Sequence, residues 1–248
     1  MQRSSAGRIR AGDLRTLDEL AQVASSCELC RLCHDRTQVV TGAGPAGAEV
    51  LVVAEAPGYH EDREGHHLAG RTGRLFDETL QLAGLSRDRI YLTSVVKCRP
   101  PLGRAPFPDE VEACESWLFR EIALVEPRVI VTLGALALRL VTGRHERLAD
   151  VHGGIIHAHL QGRDMVVWPL FHPAAAVHVP GLVRQLHDDA RALGSLLRGA
   201  RAEARDVVNA HAAELPTSET PSAPVIADHA PAALPPDDDE PQLAFDVG

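Results

Sequence analysis

Apolar residues fall along this chain of 248 residues in two kinds of run. Leu14, Leu17, Leu20, Ala21 and Val23 recur at helical spacing and predict an amphipathic helix from about Asp13 to Ser26. Four other runs are continuously apolar over strand-like lengths: Glu49 to Ala54, Arg89 to Val96, Arg128 to Leu133 and Met165 to Leu170. Helical stretches separate them, at Leu75 to Leu82, Pro108 to about Leu124, after Gly134, and Gly181 to Leu197. Pro108-Asp109-Glu110 is a good helix opening, with proline in the first turn and acids at the positive end of the dipole. Unbroken apolar strands alternating with helices predict a parallel sheet covered on both faces. The expected fold is therefore α/β, a three-layer α-β-α sandwich around a four-stranded parallel sheet. Ligands in such folds bind at the carboxyl ends of the strands, so the loops opening at Glu55, Lys97, Gly134 and His172 hold the candidate chemistry.

After Gly199 the composition shifts to Ala, Pro, Asp and Glu, and the periodicity stops. This predicts a folded domain over 13–199 and an acidic tail over 200–248, disordered from about 205 to 240. The tail distorts the net charge of −9: it holds ten of the 34 acids but two of the 25 basic residues. The body is thus near neutral, which is compatible with nucleic-acid binding through a local arginine patch but does not argue for it. Lys97 is the one lysine in the chain. There is no secretory pattern and no apolar run near the ~20 residues of a membrane span. A soluble, cytoplasmic, monomeric protein with no membrane partner is expected.

Cysteine spacing carries the first chemistry. Cys27 and Cys30 have the C-x-x-C spacing that lets two thiolates grip one centre, while Cys98 ends a strand and Cys114 lies on the next helix. Four thiolates from distant segments suit tetrahedral zinc or a cubane 4Fe–4S cluster, acting as structural glue. Cys33 reads as a small packing residue beside them.

Three loops carry distinctive strings: Glu55-Ala-Pro-Gly-Tyr-His-Glu-Asp62, Val95-Val-Lys-Cys-Arg-Pro-Pro101 and His172-Pro-Ala-Ala-Ala176. With Cys27-x-x-Cys30-x-Leu32-x-x-x-Arg36, they resemble the family-4, iron–sulfur uracil-DNA glycosylases over roughly residues 14–198. The resemblance implies a four-stranded sheet, a 4Fe–4S cluster on Cys27, Cys30, Cys98 and Cys114, and cleavage of the N-glycosidic bond of uracil in DNA. It implies catalytic roles for Glu55 and His172. A carboxylate just past a strand end can position water for attack on C1′ and offset an oxocarbenium-like sugar. An imidazole there can donate to the uracil O2 as negative charge develops on the departing base. The loop of Ala176, Val177 and His178 would enter the minor groove, and Arg71, Arg74, Arg99 and Arg104 would hold the DNA backbone. A nucleoid-associated bacterial repair enzyme is the implied setting.

The base pocket departs from the family pattern. Ala56, Leu68 and Ser94 are the expected base contacts, but the family has phenylalanine where Leu68 stands and asparagine where Ser94 stands. Leucine offers no π-face, which weakens stacking by about 1–3 kcal/mol. A serine hydroxyl cannot make the paired contact of an amide. Tyr59 and Phe171 lie in loops from which either could replace the stack. Two outcomes follow: a glycosylase with altered choice among deaminated bases such as uracil, hypoxanthine or xanthine, or a weakened or inactive iron–sulfur DNA-binding protein of the same fold. Finally, Gln242-Leu-Ala-Phe245 resembles the short peptides that dock repair proteins on a sliding clamp.

Overall fold

In the computed structural model, which describes residues 10–214, the four apolar runs form strands and a fifth joins them. The strands are β1 (Val50–Ala54), β2 (Ile90–Ser94), β3 (Val129–Leu133), β4 (Ile156–Leu160) and β5 (Arg163–Leu170), in the spatial order β2-β1-β3-β5-β4. All neighbours are parallel except β4, which runs antiparallel to β5. The sheet therefore has five strands rather than four. The extra strand, Ile-His-Ala-His-Leu, alternates between buried and accessible positions, the mark of an edge strand wet on one face. Gln161 and Gly162, at φ 52° and 78°, form the two-residue turn that folds it back on β5.

The helices are α1 (Leu17–Ala24), α2 (Tyr59–Glu64), α3 (Gly70–Leu82), α4 (Pro108–Val125), α5 (Ala135–Thr142), α6 (Leu148–Val151), α7 (Pro173–His178) and α8 (Pro180–Glu214). Helix α1 opens with a reciprocal cap, Thr16 Oγ1 accepting from Glu19 N–H while the Glu19 carboxylate accepts from Thr16 N–H. Helix α8 runs well beyond Leu197. The remaining tail, with Gln242 to Phe245, lies outside the described residues. The chain separates into two units, 1–205 and 206–248, and the whole sheet belongs to the first. Among the described residues no helix is long and apolar enough to cross a membrane.

Alternate strand residues feed two cores. Leu51, Val53, Ile130 and Val167 meet α1, α4 and α5 on one face, while Val50, Val52, Val131 and Leu170 meet α3 and α8 on the other. Each fully buried Val, Leu or Ile contributes roughly 1.5–3 kcal/mol, which is why continuous apolar runs form the centre of the sheet. The parallel register pairs Ala54 with Ser94, Val53 with Thr132 and Leu133 with Leu170. It thereby brings the loops opening at Glu55, Val95, Gly134 and Phe171 to one edge.

Candidate active site

Beyond β1, Pro57 ends the strand and the chain turns into α2. Two acids shape this loop: Glu61 Oε1 accepts from Ala69 N–H at 2.9 Å, and the buried Asp62 carboxylate accepts from Thr37 N–H at 2.9 and 3.1 Å. Glu55, at the start of the loop, is partly buried, and burial pushes its carboxyl above the ordinary range.

Beyond β5, His172 caps the start of α7. Its Nδ1 accepts from Ala174 N–H at 3.1 Å, and burial pushes the imidazole down to about 4. The ring is therefore neutral at pH 7 and, with Nδ1 an acceptor, carries its proton on Nε2. Glu55 and His172 line one cleft of about 370 Å³, shared with Ala56, Tyr59, Arg99 and Arg104. Strand β3 lies between their parent strands, so the two strand ends are separated by two strand spacings, roughly 10 Å. Gly134 sits at that intervening end with φ +94°, where a Cβ would touch His172 Cβ at 3.7 Å.

Not every expected residue reaches this cleft. Ser94 is fully buried and its hydroxyl donates to Val96 O at 2.7 Å, so its donor is spent inside the loop. Leu68 is 5 % exposed and packs with Phe76 and Leu80 in the core. Neither residue lines the cleft that Glu55 and His172 share. Ala176 is 1 % exposed and packs with the core at the floor of a second hollow. Arg71, Arg74 and the half-buried Val177 line this hollow of about 430 Å³ between α3 and α7, and His178 is exposed at the end of α7.

Arg99 and Arg104 line the cleft but are braced. Arg104 grips the buried Glu110 carboxylate with two bonds of 2.7 and 2.8 Å and lies over the Phe107 ring. Arg99 Nε sits 3.4 Å from Asp62 and its guanidinium lies over Tyr59. Of the two aromatic candidates, Tyr59 lines the cleft, whereas Phe171 packs on His152, which pairs with Asp189 at 2.7 Å. Sequence reasoning missed Arg87. It donates to the carbonyls of His67 and Leu68 and to Asp77, clamping Leu68 at a φ of +53°. The close approach of Gly73 to Leu68 O, 2.0 Å for any added Cβ, completes that clamp. Neither feature has a local sequence signal, because each depends on residues about 20 or 5 positions away.

A second cavity opens at the start of the loop after β2. Cys27, Cys30, Cys98 and Cys114 line one narrow cavity with Ala24, Val39 and Trp117, and Cys33 is not part of it. Arg36 donates to Cys27 O at 2.6 Å and to Cys98 Sγ at 3.3 Å, and Lys97 N–H donates to Cys114 Sγ at 3.4 Å. Arg31 pairs with Asp109, tying the first cysteine loop to α4. Burial pushes the thiols of Cys30, Cys98 and Cys114 up, the last to about 12. Thiolates so buried need a cationic centre, and soft sulfur donors fit iron–sulfur or zinc chemistry. Among the described residues no three His, Cys, Asp or Glu side chains are placed to hold a single ion.

Beside the cavity lies a buried polar network. Lys97 Nζ donates to Glu121 at 2.7 Å, Thr93 Oγ1 at 2.6 Å and Ser94 O at 2.7 Å, and both charged groups are essentially inaccessible. Glu121 also accepts from Gly42 N–H at 2.9 Å.

The model of the uracil DNA glycosylase superfamily matches residues 41–192. A type-4 uracil-DNA glycosylase of Sulfurisphaera tokodaii is 35% identical over 73% of this chain and 84% of its own length. The type-4 enzyme of Archaeoglobus fulgidus is 35% identical over 74% of this chain and 94% of its own. That of Thermotoga maritima is 39% identical over 64% of this chain and 84% of its own.

Proposed function

Because this chain belongs to the type-4 branch of the uracil-DNA glycosylase superfamily, we propose that it removes uracil from DNA by hydrolysing the N-glycosidic bond. It is then a monofunctional glycosylase that leaves an abasic site. The observation that carries this reading is the pairing of Glu55 with a neutral, Nε2-protonated His172 across one cleft. The target nucleotide flips out of the duplex so that its base enters the cleft. As the bond from C1′ to the base breaks, its electron pair leaves with the base. His172 Nε2–H donates to the carbonyl oxygen where that charge gathers. A neutral donor held at a fixed tautomer stabilises the charged transition state more than the uncharged base. Glu55, in its weakly solvated position, balances the positive sugar and orients the water that adds to C1′, taking up the water's proton.

Tyr59, rather than Leu68, supplies the stacking face, braced by Arg99 on one side and Arg63 nearby. Arg71, Arg74 and the exposed end of α7 meet the backbone of the duplex. Type-4 enzymes carry a 4Fe–4S cluster, and here Cys27, Cys30, Cys98 and Cys114 would hold it, with sulfur hydrogen bonds from Arg36 and Lys97. When bound, the cluster supplies a structural cross-link between the first cysteine loop, the β2 loop and α4. The folded domain spans 13–199, acts as a monomer in the cytoplasm, and its tail docks on a sliding clamp through Gln242 to Phe245.

The test is single-turnover excision from duplexes bearing uracil, hypoxanthine or xanthine, with His172→Ala alongside. Uracil release by the parent protein, reduced about 10²–10³-fold in the variant, is expected. No release of any base by the parent protein would favour the DNA-binding reading instead.

A further inference from the structure

Four non-glycine residues among those described have left-handed backbone: Leu68, Leu102, Glu126 and Gln161. Three have a local structural reason. Glu126 caps the end of α4, Gln161 makes the β4–β5 turn, and Leu68 is buried and clamped by Arg87. Leu102 has neither burial nor a cap to explain it. It is fully exposed at φ 57°, in the short turn Pro101–Gly103, and its neighbours Pro100, Gly103 and Arg104 line the cleft. A leucine here combines an unfavoured backbone with an unburied apolar side chain, at the mouth of the site. Backbone strain of this kind collects at active sites and ligand clamps.

The turn is stiff. Pro100 and Pro101 fix its entry, and Arg99 and Arg104 on either side are anchored to Asp62 and Glu110. The opposite lip, α7, turns only Ala174 and Ala175 toward the cleft, and Ala176 is buried. The bulkier Val177 lines the hollow beside α3 and His178 stands exposed at the helix end, so the side chains this lip turns to the cleft itself are both alanine. We propose that Leu102 is the wedge: when duplex DNA binds, its side chain enters the stack beside the extruded nucleotide and fills the space that nucleotide leaves. Apolar wedges unstack a base step in this way, and the flanking arginines keep the phosphates close. The inference rests on the glycosylase reading and adds the group that opens paired DNA. In single strands the base is already unstacked, so the wedge is dispensable there.

Leu102→Gly and Leu102→Phe test it. Glycine relaxes the backbone, so the glycine variant is expected to melt no lower than the parent protein, which separates loss of function from loss of fold. Its uracil excision should fall about tenfold or more on duplex substrate and stay within about twofold on single strands. The phenylalanine variant should keep duplex activity. A 2-aminopurine beside the uracil should brighten with the parent protein and much less with Leu102→Gly. Equal duplex rates for parent and glycine variant, or equal losses on both substrates, would overturn the wedge. A parent protein that releases uracil from neither substrate would instead overturn the glycosylase reading, and the 2-aminopurine signal would still decide the wedge.

Discussion

Cys98 and Arg99 are adjacent in sequence, yet one faces a narrow sulfur-lined cavity and the other an open cleft. The cavity is apolar apart from its thiols and the groups that donate to them. Its sulfurs come from the loop before β1, the loop after β2 and α4, and it has no acid–base pair of its own. The cleft is built the other way. It is open, its walls carry a carboxylate, an imidazole and two arginines, and its residues come directly after strand ends. One loop, from Val95 to Arg104, belongs to both. Fixing its first half at the cavity determines where Arg99, Leu102 and Arg104 stand at the cleft.

If that division holds, the largest effect comes from the cavity. Cys114→Ala should abolish absorbance near 400 nm and lower the melting temperature by on the order of 10 °C, because the centre's binding energy is folding energy. A variant that keeps both would mean that the cavity is not a staple.

The seam between the two regions ranks next. Lys97→Met leaves the buried Glu121 carboxylate without its cation and should cost about 3–5 kcal/mol by denaturant unfolding. Lys97→Met combined with Glu121→Gln should recover part of that loss. Additive losses in the double variant would mean that the two groups are not coupled.

The smallest effect separates the regions by pH. His67, buried with Nε2 unpaired, is pushed down to about 3, chiefly by burial, and His172 to about 4. Unfolded histidines titrate near 6.5, so between pH 6.5 and 4 the unfolded chain binds the extra protons. The stability these two provide is complete above about 6.5 and drains as pH falls, by up to ~1.4 kcal/mol per pH unit for each. Glu55 and Asp189, whose values are raised, work in the opposite sense. Comparing the parent protein with His67→Gln isolates one histidine: melting curves at pH 7 and 5 should differ less in the variant. An unchanged difference would contradict a buried neutral His67.

Much of the cavity was legible in the sequence because cysteines are few and C-x-x-C is a local pattern. The cleft was only half legible. Glu55 and His172 could be placed since each immediately follows an apolar strand, and strand ends of a parallel sheet share an edge. Leu68 and Ser94 could not, because their side chains turn inward for reasons held by Arg87 and by the Val96 carbonyl. The antiparallel β4 escaped a search for unbroken apolar runs, since an edge strand wet on one face alternates.

What the chain's order of residues determined by itself was the set of four central strands, the helices between them and the thiolate spacing, all written in patterns a few residues long. What only the folded molecule decided was orientation: which side chains at the sheet edge face the cleft, that the single lysine is sealed against Glu121, that Tyr59 lines the cleft, and that Leu102 is exposed between residues that do. Burial fixes the first kind through local period. The second depends on which distant group satisfies each buried donor or acceptor, and that partner exists only once the layers have packed.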